Sequence, residues 1–394
     1  MSVCADSPKS APSWQGRPAS HRLTAWTRDL QDFLAESSER LWAHSALRHP
    51  ALELARASAS AGAEHPARPG ARRGPLRFRG RRNTVARAAP RGQNGRMRRI
   101  VVIDAPSNLG LRPPTEGTVP GCYKLAGALR EQRLVQRIGA YEGGVVVPPR
   151  YDRGGWREGD GVFNAEAIAT YTRRLADRIE HHVRAGDFPV VLGGDCSIQL
   201  GASLALRRIG RYGLAVIDGS ADFRHPGNSD RIGAAGGEEL AIATGRGQAD
   251  LTDLEGLQPY VRDEDVRVFG IRDYDEERSE LAELKITNAT VGEIREWGAE
   301  ELAGAVLQTL EVPVTEGFWV HLDADVLDPS VMPAVDSPDP GGLMPDELAP
   351  LLRTLVRSER CVGFNLTIYD PDLDPDGSCA ALLADLLQTT FTQP

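Results

Sequence analysis

The stretch LAVIDGSADFRHP, residues 214–226, decides the fold. Four apolar residues, Leu214 to Ile217, lead directly into a polar segment that contains Asp218 and Asp222. An uninterrupted apolar run of this length is typical of a strand buried on both faces of a parallel sheet. Ligands bind beyond the carboxyl ends of such strands, so the stretch predicts a site that carries two carboxylates.

Two further apolar runs end in the same way. The run 190–192 leads into the segment GGDCS, residues 193–197, and the run 318–322 leads into Asp323-Ala-Asp325. Because the carboxyl ends of parallel strands lie at one edge of the sheet, the acids of all three are expected to meet there. Such strand ends favour a metal site, and carboxylate oxygens suit Mn²⁺, Mg²⁺ or Ca²⁺.

These motifs also have simpler interpretations. Asp323 or Asp325 could cap the segment that follows it, and Asp195 could cap the next helix. Cys196 would lie near a helix N-terminus, where a thiolate is favoured, so a cysteine nucleophile is a competing hypothesis. A buried structural thiol is the plainer alternative for the same residue.

Predicted strands alternate with predicted helices from residue 98 to residue 391. This alternation predicts an α/β fold, with a parallel sheet covered by helices on both faces. No GxGxxG follows the first predicted strand and no GxxxxGK[ST] occurs, so a nucleotide cofactor is not supported.

The charge is distributed unevenly along the 394 residues. Residues 1–96 hold 17 Lys and Arg against 7 Asp and Glu, a net charge of +10. Residues 97–394 hold 29 basic and 48 acidic residues, a net charge of −19. An acidic body repels phosphate, which argues against nucleic acid as a partner and favours a small-molecule substrate.

The first 96 residues are rich in Ala, Arg, Pro and Gly and offer little to bury. This composition predicts a disordered basic extension, or an overlong gene start with Met97 as the true first residue. A short helix over residues 30–55 is compatible with the apolar spacing. Residues 97–394 are predicted to form the α/β domain.

The cysteines and the hydropathy indicate the compartment. The five cysteines are scattered and form no CxxC pair, as expected in a reducing cytosol. No apolar run approaches the ~18–20 residues that span a bilayer. We therefore predict a cytoplasmic protein with no membrane partner.

Four segments together resemble the ureohydrolase superfamily, the arginase/agmatinase family. They are GGDCS (193–197), DGSAD (218–222), DADVLDP (323–329) and PGGL (340–343). The resemblance covers residues 98–391 and implies a three-layer α/β/α fold with a mostly parallel, roughly eight-stranded sheet. It also implies two Mn²⁺ ions, hydrolysis of a linear C–N bond in a guanidino compound by a metal-activated hydroxide, and a homo-oligomer, a trimer or hexamer.

Carried over residue by residue, the resemblance assigns ligands to two metal positions. The first would be held by Cys196, Asp218, Asp222 and Asp323. The second would be held by Ser220, Asp218, Asp323 and Asp325. The family has histidine at positions 196 and 220. A cysteine shifts the preference toward Zn²⁺ or Fe²⁺, and a neutral serine weakens the second position.

Further departures from the family concern the substrate. Arg224 replaces an amide that holds the substrate, unless it is a surface arginine paired with Asp230. The loop 233–239 has no histidine, which leaves Glu238 as an acid/base candidate or as the first-turn acid of the next helix. Ile368 occupies the place of the family's guanidinium-binding glutamate, so plain arginine or agmatine fits poorly.

Other candidates lie beside these segments. Asp222 is a catalytic as well as a metal-binding candidate, and His225, just after it, is a candidate proton shuttle or replacement ligand. Asp275 follows the middle strand in a segment that resembles the family and is a substrate-binding candidate. His321 precedes Asp323 by two residues, so strand alternation predicts that it lies below the metals, either as a core histidine with its hydrogen bonds satisfied or as a residue that supports a ligand.

Three functional hypotheses follow. The first is a metal-dependent hydrolase of a guanidino or amidine compound. The second is a ureohydrolase-like binding protein without turnover, motivated by Ser220, Ile368 and the missing loop histidine. The third is a hydrolase that uses Cys196 as its nucleophile.

Overall fold

The computed structural model describes residues 98–392, and eight strands of this part form one sheet. They are β1 Ile100–Asp104, β2 Tyr141–Val145, β3 Phe188–Leu192, β4 Gly213–Ile217, β5 Val266–Ile271, β6 Thr287–Thr290, β7 Phe318–Asp323 and β8 Cys361–Thr367. The order across the sheet is β2-β1-β3-β8-β7-β4-β5-β6, and every neighbouring pair is parallel. The predicted α/β fold class and parallel sheet are confirmed.

The helices form two packed groups. The first group is α3 Ala165–Arg184, α4 Gln199–Ile209, α5 Glu239–Ala243 and α6 Ala249–Thr252. The second is α1 Leu125–Glu131, α2 Leu134–Arg137, α8 Val291–Trp297, α9 Ala299–Leu310, α10 Pro345–Arg357 and α11 Ser378–Thr392. Helix α7, Arg278–Glu283, packs beside β6. Two groups of helices around one sheet give the expected three layers.

The apolar runs become the middle of the sheet. Strands β3, β4, β5 and β7 are buried along their whole length, which is possible only when both faces are covered. Edge strand β2 is largely exposed. The apolar run 214–217 therefore lies where the sequence predicts, in the interior of the sheet.

Two elements differ from the prediction. Strand β6, Thr287–Thr290, is not signalled by an apolar run, because its sequence TNAT holds a single alanine among polar residues. Helix α8 follows directly, and Thr290 and Glu293 form a capping box at its start. Strand β2 begins at Tyr141 and ends at Val145, so most of it precedes the apolar run of residues 145–147.

Some predictions concern residues outside the described part. The disordered extension 1–96 and the short helix 30–55 lie there. Within residues 98–392, no helix is both long and apolar enough to cross a membrane. The four cysteines of this part are all buried and free.

Candidate metal centre

Four neighbouring strands bring the predicted site together. Strands β3, β8, β7 and β4 are adjacent in the sheet. Asp323 is the last residue of β7 and pairs with Thr367 at the end of β8. Cys196 follows β3, and Asp218 follows β4 directly. The three acid-bearing strand ends therefore meet at one edge, as predicted.

Two glycines let the chain turn after β3. A Cβ atom at Gly194 would lie 1.7 Å from the carbonyl oxygen of Ser107, so no other residue fits without a backbone shift. Asp195 then caps the following turn, because its Oδ1 accepts from the backbone N–H of Ser197 at 3.0 Å. The cap interpretation of Asp195 is confirmed, and this tight turn directs Cys196 into the interior.

The thiol of Cys196 lies against the acids. Its Sγ donates to Oδ2 of Asp323 at 2.5 Å. Burial raises the pKa of this thiol well above its ordinary value, and the negative charge of Asp323 raises it further. The helix N-terminus therefore does not produce a free thiolate here, and a nearby cation is the group that would.

The loop after β4 is held by its own side chains. Oδ1 of Asp218 accepts from the backbone N–H of Ser220 at 2.8 Å. The Ser220 hydroxyl donates to Oδ1 of Asp222 at 2.5 Å. Asp222 has a φ of 45°, an unusual conformation for a residue other than glycine. The serine hydroxyl is thus already bound to an acid.

Two further acids hold the same loop from outside. Oδ2 of Asp275 accepts from the N–H of Ala221 at 2.9 Å. Oδ1 of Asp325 accepts from the N–H of Gly219 at 3.0 Å. Both carboxylates therefore fix the backbone of the loop, in addition to any role toward a ligand.

Carboxyl groups are concentrated at this edge of the sheet. Four are buried and a fifth is partly exposed: Asp218, Asp222, Glu239, Asp323 and, less buried, Asp325. Burial raises the pKa of each group, and for Asp218, Glu239 and Asp323 repulsion by neighbouring carboxylates raises it further. The pKa of Asp222 is raised to about 7, first by burial. Such a cluster must either hold protons or bind cations.

Unpartnered atoms within the cluster favour cations. Oδ2 of Asp218 and Oε2 of Glu239 are buried and have no hydrogen-bond partner. Possible ligand atoms form two sets, and within each set all the atoms lie within 4.8 Å of one another. The first set is Cys196, Asp218, His321 and Asp323. The second set is Asp218, Asp222 and Glu239. Asp218 belongs to both.

A hydrogen-bond chain determines the role of His321. The indole N–H of Trp319, which can only donate, donates to Oδ1 of Asn365 at 2.6 Å. The amide nitrogen of Asn365 therefore faces Nδ1 of His321, 2.7 Å away, and donates to it. Burial lowers the pKa of His321 to about 4, so the ring is neutral and its hydrogen is on Nε2. Nε2 lies 3.9 Å from Oδ2 of Asp218, which is beyond hydrogen-bond distance.

In this tautomer His321 offers no lone pair at Nε2 to a metal, and its N–H lies beside the carboxylate of Asp218. His321 lies close enough to Cys196, Asp218 and Asp323 to share a metal with them, but the hydrogen on Nε2 leaves no lone pair there for the metal. The same tautomer cannot accept the proton of Cys196 at Nε2, so His321 is not a histidine base for a cysteine nucleophile; the group that accepts from the thiol is the carboxylate of Asp323. This role agrees with the expectation that His321 supports a ligand from below.

Of the predicted metal ligands, Asp325 belongs to neither set, and Ser220 carries a hydroxyl, a group that these sets of carboxylate, thiol and imidazole atoms do not include. The hydroxyl of Ser220 is bound to Asp222, and one oxygen of Asp325 is bound to a backbone N–H. Asp325 nevertheless raises the pKa of both Asp218 and Asp323 by its charge, so it lies beside them. Their metal-binding roles stay predictions.

Arg224 and Glu238 lie close to each other beside the cluster. The guanidinium of Arg224 is half-buried, and its charge lowers the pKa of Asp222, Glu238 and Asp275. Among residues 98–392 no ion pair joins it to Asp230. Oε1 of Glu238 accepts from the N–H of Gly233 at 2.5 Å, and burial raises its pKa to about 7.

Helix α5 begins one residue later than predicted. It starts at Glu239, so the interpretation of Glu238 as the first-turn acid is wrong, and Glu239 has that position. Glu239 was not among the predicted site residues. The only signal in the sequence is a second acid beside Glu238, and which of two adjacent glutamates faces the site depends on where the helix begins.

His225 lies apart from both ligand sets. Its Nε2 donates to Oε1 of Glu280 at 3.0 Å, and its Nδ1 accepts from the N–H of Gly227 at 3.0 Å. Ile368 is buried and has a φ of 72°, which is strained for a β-branched residue. An apolar group therefore lines the place where the resemblance expects a glutamate.

Comparisons with known proteins agree with this fold and site. A model of the Arginase family matches residues 59–392. An arginase of Bacillus caldovelox is 28% identical over 301 residues, which cover 75% of this chain and 98% of the relative. An arginase of Staphylococcus aureus strain COL is 26% identical over 294 residues, covering 74% and 96%. The solved structure of the Bacillus caldovelox arginase matches with a TM-score of 0.69 at 26% identity, covering 76% and 99%.

Proposed function

The chain belongs to the arginase family, and we propose that it is a metal-dependent hydrolase of a linear C–N bond in a guanidino or amidine compound. The observation that carries the proposal is the carboxylate of Asp218, which is shared by two sets of ligand atoms and keeps one oxygen unpartnered. An orphaned buried carboxylate is costly unless a cation binds it.

The donor atoms fit divalent metals. Cys196, Asp218 and Asp323 would hold one ion, and the thiol proton would leave when it binds. Asp222, Asp325 and Ser220 are the remaining ligand candidates, with Ser220 the weakest. Carboxylates favour Mn²⁺, and the family resemblance implies two such ions. The thiolate favours Zn²⁺ or Fe²⁺. When bound, the metal would supply the activated hydroxide that attacks the guanidino or amidine carbon.

The chain's own residues would do the remaining work. Glu238, with a pKa of about 7, can exchange a proton near neutral pH and is the acid/base candidate. Arg224 would bind an acidic group of the substrate, with Asp275 beside it. Ile368 offers no charge to a guanidinium. The favoured substrate is therefore an amidine or guanidino compound that carries a carboxylate.

A binding protein without turnover is the second candidate. The hydroxyl of Ser220 is already bound to Asp222, which supports a weakened or empty second metal position. Both ring nitrogens of His225 are also occupied, so it is poorly placed to replace the missing histidine.

A metal-reconstitution assay tests the proposal. The full chain is stripped of metal and reloaded with Mn²⁺, Zn²⁺ or Fe²⁺. It is then screened for release of urea or amine from guanidino and amidine compounds with and without a carboxylate. We expect turnover only with metal, preference for the carboxylate-bearing compounds, and loss of that preference in Arg224→Ala but not in the exposed control Arg231→Ala. Bound metal without turnover, even after Ser220→His, would favour the binding protein.

A further inference from the structure

Two adjacent glutamates at the start of α5 have different surroundings. Oε1 of Glu238 accepts from a backbone N–H, that of Gly233. Glu239 is only 1% exposed, and its Oε2 has no hydrogen-bond partner. A buried carboxylate oxygen without a partner is strongly disfavoured, so its position calls for a binding partner that is absent from the protein itself.

The unpartnered carboxylate of Glu239 faces other acids. One oxygen each of Asp218, Asp222 and Glu239 lies within 4.8 Å of the other two. Oδ2 of Asp218 is likewise unpartnered. Three ionised carboxylates at this separation repel one another unless protons or a cation lie between them, and Asp222 and Glu239 are close enough to share a hydrogen bond. Oxygen ligands of divalent cations lie about 2.0–2.6 Å from the ion, so opposite ligands are about 4–5 Å apart. The spacing fits one ion.

Glu239 also supplies what Ser220 lacks. Ser220 is a neutral ligand candidate whose hydroxyl is bound to Asp222. Glu239 adds a carboxyl group that brings a full negative charge to the same acids once a cation displaces its proton. The set of Asp218, Asp222 and Glu239 contains only hard oxygen donors, whereas the other side of Asp218 contains the soft thiol of Cys196.

We propose that Glu239 is a metal ligand, and that with Asp218 and Asp222 it forms a carboxylate-only position that binds Mn²⁺ or a similar oxygen-preferring divalent cation. This proposal depends on the proposed function in one respect, which is that the cluster of acids binds metal. It gives this chain a ligand that neither the resemblance nor the predicted ligand set contains.

Mn²⁺ binding by matched glutamine variants tests the proposal. The full chain, Glu239→Gln and the neighbouring control Glu238→Gln are stripped of metal and titrated with Mn²⁺ alone, with bound metal measured by elemental analysis. We expect Glu239→Gln to lose one equivalent of Mn²⁺, or to bind it at least about 10- to 100-fold more weakly. Glu238→Gln should bind Mn²⁺ as the unaltered chain does.

Thermal unfolding separates a ligand from a structural residue. In metal-free protein, Glu239→Gln should raise Tm, because it removes repulsion among the acids, and should reduce the increase in Tm that Mn²⁺ produces. A residue with a purely structural role would lower the metal-free Tm instead. If Glu239→Gln binds Mn²⁺ as the unaltered chain does while Asp218→Asn does not, this proposal alone is overturned. If the unaltered chain binds no metal, the proposed function is overturned with it.

Discussion

The two sides of Asp218 differ in their chemistry. On one side lie the thiol of Cys196 and the carboxylate of Asp323, with the N–H of His321 below. On the other side lie the carboxylates of Asp222 and Glu239. A thiol adds preference for Zn²⁺ or Fe²⁺, whereas carboxylates alone prefer Mn²⁺ or Mg²⁺. On our proposal, the replacement of two of the family's histidines changes which metal is bound and does not abolish binding.

The largest expected effect comes from the residue that the two sides share. Asp218→Asn should remove metal from both positions, because its carboxylate is common to the two sets of ligand atoms. Elemental analysis after reloading measures the loss, and Asp230→Asn at an exposed position is the control. Retention of one full equivalent of metal by Asp218→Asn would show that the two sides do not share this ligand.

The pH dependence of stability should differ between metal-free and metal-bound protein. The pKa of Asp222 is raised from 3.8 to about 7 in the folded state, so between these values the folded protein holds a proton that the unfolded chain has released. The free energy of unfolding of metal-free protein should therefore fall as pH rises from about 4 to about 7. This group contributes at most about 4 kcal/mol.

Urea unfolding at several pH values measures this effect, and Asp222→Asn isolates the contribution of the one carboxyl group. Metal binding displaces the protons, so saturating Mn²⁺ should reverse the slope. The expectation would be contradicted if, without metal, the free energy of unfolding of the unaltered chain rose relative to that of Asp222→Asn as pH increases.

The thiol side should be distinguishable by metal preference. Cys196→Ser should weaken Zn²⁺ binding by roughly 10- to 100-fold while changing Mn²⁺ binding much less, because it replaces a soft ligand with a weak hard one. Cys122→Ser makes the same exchange at another buried thiol and should change neither. Competition titration with a chelator gives both affinities, and equal losses for the two metals would argue against a thiol side.

The smallest effect is expected at His321. His321→Leu removes the N–H that lies 3.9 Å from Asp218 and should weaken metal binding by about tenfold, whereas His321→Gln, which keeps an N–H donor, should weaken it less. The same titrations measure both variants. If His321 were itself a ligand, with its hydrogen on Nδ1, both substitutions would abolish binding of the metal beside Cys196.

The sequence predicts the fold better than the details of the site. Apolar runs that end in acids identify β3, β4 and β7 and the edge where they meet. Strand β6 escapes prediction because its polar sequence carries no apolar run, and its pairing with β5 is a long-range contact. Local pattern cannot report such a contact.

The ligand candidates show the same limit. Cys196, Asp218, Asp222 and Asp323 follow from strand ends and from the resemblance, and the structure brings them together. Glu239 does not follow, because its direction depends on the residue at which α5 begins. The tautomer of His321 depends on Asn365, which lies on the neighbouring strand. These features arise from contacts between elements.

Anomalous diffraction from crystals loaded with both Zn²⁺ and Mn²⁺ tests the central claim most directly, because each metal is located at its own absorption edge. We expect two peaks on either side of the Asp218 carboxylate. The zinc peak should lie within bonding distance of Sγ of Cys196, and the manganese peak within bonding distance of the carboxylates of Asp222 and Glu239. The absence of any anomalous peak within bonding distance of Asp218 would contradict the account.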